Sequence, residues 1–66
     1  MNDELYTLKQ LIESKNKTEN NIAHYIQRYM TENNAQLLSI KKSTKHKLFD
    51  IRFNVNGEHI IKLYNL

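Results

Sequence analysis

Among the side chains of this 66-residue sequence that could move a proton, hold a metal or grip an anion, three histidines, four tyrosines and a concentrated run of lysine stand out beside seven carboxylates. His24, His46 and His59 show no pair at metal-ligand spacing, and the chain has no cysteine, so no metal site is expected. A histidine beside Asp50 or beside a tyrosine would make the acid–base pair of an RNase-like toxin, but nothing in the sequence brings such groups together. The expectation is a protein without catalytic residues or a cofactor.

The densest chemical signal is "KKSTKHK", in which Lys41, Lys42, Lys45 and Lys47 stand within seven residues and no acid interrupts them, although the whole chain carries a formal net charge of only +3. Lysines neutralise phosphates and release counterions, and an aromatic ring such as Tyr64 at the same end of a sheet would stack on an unpaired base. The plainer reading is a wet hairpin tip whose lysines discourage strand pairing. Lysine also lacks the planar fork with which arginine reads bases. Nucleic-acid binding through residues 41–47 is therefore the alternative to a protein-docking role.

The elements that carry these groups follow from hydrophobic period. Up to about Asn33 and Asn34 the spacing is helical: Leu5, Leu8, Leu11 and Ile12 share one face, and Ile22, Tyr25, Ile26, Tyr29 and Met30 repeat at i, i+3, i+4, i+7 and i+8. Steps of three and four also run unbroken from residue 5 to 29, as in one long helix, but "SKNKTENN" holds no apolar side chain, and Asn16 followed by Glu19 resembles a helix start. Two helices are favoured over one. A helix-turn-helix over "TENNIAHYIQRYMTENNAQLL" fails because Asn33 and Gln36 stand where a recognition helix needs apolar residues.

After Asn34 the period becomes two, through Leu38 and Ile40, then Phe49, Ile51, Phe53 and Val55, then Ile61 and Leu63. The predicted fold is α+β: two N-terminal helices, or one long helix, packed on a C-terminal three-stranded antiparallel β-meander. The chain is expected to be a single domain over residues 1–66, with a helical part at 3–34 and the meander at 36–65.

Pairing was set by keeping apolar residues on one face. A three-residue loop Val55-Asn56-Gly57 sets Ile51 opposite Ile61 and Phe49 opposite Leu63, whereas a two-residue Asn56-Gly57 loop would set Phe53 opposite Ile60 but Ile51 opposite Lys62. The three-residue loop is preferred for that reason. A four-residue loop from Ser43 to His46 sets Ile40 opposite Phe49 and Leu38 opposite Ile51. The expected core is Leu38, Ile40, Phe49, Ile51, Phe53, Ile61 and Leu63. The other face then carries Leu37, Leu48, Arg52, Ile60 and Tyr64, an apolar patch ringed by charge and the candidate partner-binding surface.

Composition bounds the rest. A hydrophobic share of 39% against 26% charged is that of a folding chain. No apolar run approaches the roughly 18 residues of a membrane span, and "MNDELYTLKQ" does not resemble a signal peptide, so a cytoplasmic protein without a membrane role is expected. So short a chain builds a core supplying only about 3–5 kcal/mol, and without cysteines for crosslinks a homodimer is the expected reinforcement. Asn, Lys, Ile and Tyr fill 28 of the 66 positions and share A/T-rich codons, which suggests a low-GC bacterium or its phages. The functional expectation is a small non-enzymatic regulator or inhibitor of a larger protein, carried by a phage or mobile element.

Overall fold

The computed structural model describes residues 3–66. Strand β1 (Asp3–Tyr6) leads into helix α1 (Leu8–Glu13) and helix α2 (Lys17–Asn33), followed by strands β2 (Gln36–Ser43), β3 (Leu48–Val55) and β4 (Glu58–Asn65). The four strands form one antiparallel sheet in the order β1-β2-β3-β4. The architecture is α+β, as expected, with two helices rather than one. The fourth strand is a correction: the first residues assigned to the helical part pair as a strand with the far side of β2, Tyr6 opposite Ile40 and Leu5 opposite Lys41. Among the described residues no helix is long and apolar enough to cross a membrane.

Local chemistry fixes the helix boundaries. Thr7 caps α1 in a reciprocal capping box with Gln10, its own N–H donating to Gln10 Oε1 at 2.7 Å while its hydroxyl accepts from Gln10 N at 3.1 Å. The polar break at Ser14–Asn16 separates the helices: Asn16 Oδ1 accepts from the N–H groups of Thr18 and Glu19 at 2.8 and 3.3 Å. Glu19 does not close a second box but accepts from the Ser14 hydroxyl at 2.6 Å. Asn20 ties the pair together, its Nδ2 donating at 2.9 Å each to the carbonyls of Ser14 and of Leu11, the latter also accepting the Ser14 N–H at 3.4 Å. Asn34 ends α2 in a left-handed conformation, φ 51°, a conformation asparagine tolerates.

Among the described residues eight side chains are buried: Leu11, Ile22, Ala23 and Ile26 from the helices, and Ile40, Phe49, Ile51 and Phe53 from the sheet. Both helices cover one face of the sheet. With a smallest extent of 16 Å the molecule has room for two layers and no third. Rings join the two layers, Tyr29 of α2 against Phe53 of β3 at 4.5 Å, and within the sheet Tyr6 of β1 stands edge-on to Phe49 of β3 at 5.5 Å.

Both hairpins depart from the expected pairing. Asn56 and Gly57, at φ 54° and 85°, form a two-residue turn of the mirror-image type I′ class, whose twist matches the strands it joins. Val55 therefore pairs with Glu58, Phe53 with Ile60, Ile51 with Lys62 and Phe49 with Tyr64. The apparent objection, a lysine opposite the central Ile51, is met by the length of its side chain. The Lys62 stem lies along the apolar face and its Nζ stands 5.3 Å from the centre of the Tyr29 ring. In the other hairpin residues 44–47 form the loop, with Lys47 at φ 53° and Ser43 opposite Leu48. Ile40 then faces Ile51 rather than Phe49, a shift of two that keeps it inside. Farther along, the register slips between Leu37 and Ser39, leaving Leu38 as the extra residue of a bulge.

These shifts exchange several expected residents of the two faces. Leu37, Ile60 and Tyr64 pack against the core, whereas Leu38, Ile61 and Leu63 are exposed by 44%, 53% and 63%. Leu5 and Ile12, read as part of a buried helical face, are exposed as well.

Candidate functional site

The face of the sheet away from the helices is left uncovered by the fold. Cross-strand partners share a face, so the pairings give its rows directly. Asp3, Ser43, Leu48 and Asn65 form one; Leu5, Lys41, Asp50 and Leu63 the next; Ser39, Arg52 and Ile61 a third, with the Leu38 bulge beside it.

Two chemical elements make up this face. Leu5, Leu38, Ile61 and Leu63 are large, apolar and between about two-fifths and three-quarters exposed, with Leu66 beyond the end of β4 at 52%. Between them lies an ion pair along β3, in which Arg52 Nε and Nη2 each donate to an Asp50 carboxylate oxygen at 3.3 Å. The hydrogen bonds that Arg52 donates to Asp50, and then the charge of that carboxylate, raise the guanidinium above its ordinary pKa. Lys41 stands across from Asp50 on β2. Apolar groups around a central pair of opposite charges are the composition from which contact surfaces with a defined polar register are built.

Of the five residues expected to bind a partner, Leu48 and Arg52 lie on this face. Leu37, Ile60 and Tyr64 point to the helix side, where Tyr64 stands 5.7 Å from Tyr25. Leu5, Leu38, Ile61 and Leu63 take their place. The adjacent letters Asn-Gly at 56–57 were the signal that would have found Ile61 and Leu63, because a two-residue turn reverses the parity of β4. Nothing in the local sequence marks the Leu38 bulge.

The lysine run does not converge. Lys41 is on the outer face, Lys42 pairs with Phe49 on the helix side and stands opposite Glu4, and Lys45 and Lys47 are in the exposed loop. Tyr64, the ring expected to stack on a base, is engaged with Tyr25. His24 lies on the exposed side of α2, His46 in the loop and His59 near the start of β4. Among the described residues no three His, Asp or Glu side chains gather as metal ligands. Comparison with protein-family models, curated proteins and solved structures finds no match to this chain.

Proposed function

We propose that this chain is a small non-enzymatic docking protein, a regulator or inhibitor that seats the outer face of its sheet on a larger cytoplasmic protein. The observation carrying the reading is the exposure of Leu5, Leu38, Ile61 and Leu63 on one uncovered face around the Asp50–Arg52 pair. Apolar side chains grouped on a bare sheet face, with a polar pair to set orientation, suit occlusion of a partner's surface, which requires shape and no reaction. The abundance of Asn, Lys, Ile and Tyr, residues whose codons are A/T-rich, is the ground for placing it in a phage or mobile element of a low-GC bacterium.

The test is capture of a partner from nuclease-treated host lysate on immobilised protein, followed by affinity measurement with the purified partner. Leu5→Asp with Leu38→Asp is expected to weaken binding by more than about thirtyfold, roughly 2 kcal/mol. Replacing Lys41, Lys42, Lys45 and Lys47 together by glutamine is expected to leave affinity within about tenfold. The opposite pattern, with binding that falls steeply between about 50 and 200 mM salt and is lost on nuclease treatment, would transfer the role to nucleic acid and the lysines.

A further inference from the structure

The order β1-β2-β3-β4 leaves β4 without a partner strand on one side among the described residues. The direction of its backbone groups follows from the turn. In an antiparallel pair alternate residues bond to the neighbouring strand, and the pair flanking a two-residue turn is hydrogen-bonded. Glu58 is that residue, so Ile60, Lys62 and Tyr64 also bond to β3. Leu66 N–H donates to Lys47 O at 3.0 Å, which continues the same alternation beyond the strand. His59, Ile61, Leu63 and Asn65 therefore turn their N–H and C=O groups to the open edge.

We infer that a second copy of this chain pairs with this edge, β4 against β4 about a two-fold axis, forming one continuous eight-stranded sheet. The hydrogen-bonding parity restricts the register. Edge-facing residues must meet edge-facing residues, so His59, Ile61, Leu63 and Asn65 can pair only among themselves. An axis at Lys62 sets His59 opposite Asn65 and Ile61 opposite Leu63, each twice, and satisfies all four edge-facing residues of both copies. An axis one residue earlier, at Ile61, leaves Asn65 unpaired. The contact is closed and isologous, so it stops at a dimer.

Three further observations favour this occupant. Strand β4 holds no proline and no register shift along its eight residues, and its two charges stand at the turn, Glu58, and on the helix side, Lys62. The opposite edge differs, with Asp3 and Glu4 among the four residues of β1. Lys62 lies on the axis opposite its own symmetry mate, and this like-charge meeting is eased because each amine sits 5.3 Å from the centre of a Tyr29 ring on the helix side. Finally, pairing sets Ile61 and Leu63 of one copy beside Leu63 and Ile61 of the other, joining the exposed apolar groups of both outer faces into a strip. The dimer stands independently of the docking partner.

Sedimentation of the full chain from about 1 to 100 μM tests it, with hydrogen exchange at the Ile61 and Leu63 amides. The expected result is a species of twice the 7.9 kDa chain mass, with both amides more protected as concentration rises. Ile61→Pro removes an edge-facing N–H that β3 does not use, and is expected to raise the dissociation constant more than about tenfold. Leu5→Asp with Leu38→Asp leaves the edge intact and is expected to retain the dimer. A monomer throughout the concentration range overturns the inference, as does a dimer whose Ile61 and Leu63 amides exchange freely. A dimer abolished by the Leu5 and Leu38 substitutions also overturns it, since it would be stacked face to face. Should Ile61→Pro fail to fold, chemical synthesis of the chain with N-methyl-leucine at position 63 removes another edge-facing donor and reads the same outcome.

Discussion

Ile51 and Ile61 lie on neighbouring strands of one sheet, yet the first is fully buried and the second 53% exposed. Strand β3 alternates cleanly, with Phe49, Ile51 and Phe53 on one face and Asp50 and Arg52 on the other, so charge declares its outside. Strand β4 reads Ile60, Ile61, Lys62, Leu63, Tyr64 and carries apolar groups on both faces. Its orientation is decided by the turn before it rather than by its own pattern. Two strands of similar hydrophobicity thus do different work: β3 closes the core, and β4 divides itself between the core and an open surface.

The widest separation between the faces is expected in stability. Ile51→Ala removes a fully enclosed side chain between the helices and the sheet, and should cost about 2–5 kcal/mol, comparable with the stability of so small a domain. Leu5→Ala removes one that is 72% exposed on the outer face, and should cost under about 1 kcal/mol. Urea denaturation of both variants, with equal slopes, measures the difference. Equal losses would mean that the outer face is closed in solution by something that shields Leu5 as the helices shield Ile51.

Where the sequence was legible, a local signal and a global one agreed. The break at Ser14–Asn16, the helix cap at Asn16 and the core positions Ile40, Phe49, Ile51 and Phe53 could be read because polarity and period pointed the same way. Strand β1 could not, since Leu5, Leu8 and Leu11 keep helical spacing and the commitment of Asp3–Tyr6 to β2 is a tertiary choice. Preference for an apolar partner opposite Ile51 misassigned β4, because a lysine stem can cover apolar surface while its amine reaches an aromatic face. Of the five residues expected on the outer face, Leu48 and Arg52 lie there. The turn and the bulge replaced the other three.

A middle-sized effect is expected where the helices are held over the inner face. Asn20 Nδ2 bridges the carbonyls of Leu11 and Ser14, and both contacts are partly buried. Asn20→Ala leaves those oxygens to find water at the edge of the core and should cost about 1–3 kcal/mol. Its signature should be local: faster hydrogen exchange in α1 than in β3, because α1 is short and held by this side chain. Uniform acceleration across both elements would mean that α1 is not separately secured and that the inner face opens only as a whole.

A smaller loss than that at Asn20 belongs to the turn that assigns β4 to its faces. Gly57 sits at φ 85°, and a Cβ added there would meet nothing within 4 Å, so Gly57→Ala tests backbone conformation without a packing contribution. A left-handed alanine costs about 1–2 kcal/mol relative to glycine. At the lower end, in a domain of this size, that corresponds to a fall in Tm of roughly 4–8 °C. The fall should occur without loss of the Ile51–Lys62 pairing, because Phe53, Ile60 and Tyr64 hold the inner register even when the turn is strained. An unchanged Tm would mean that residue 57 does not need a positive φ. The two-residue turn would then be wrong, and Ile61 and Leu63 would return to the inner face.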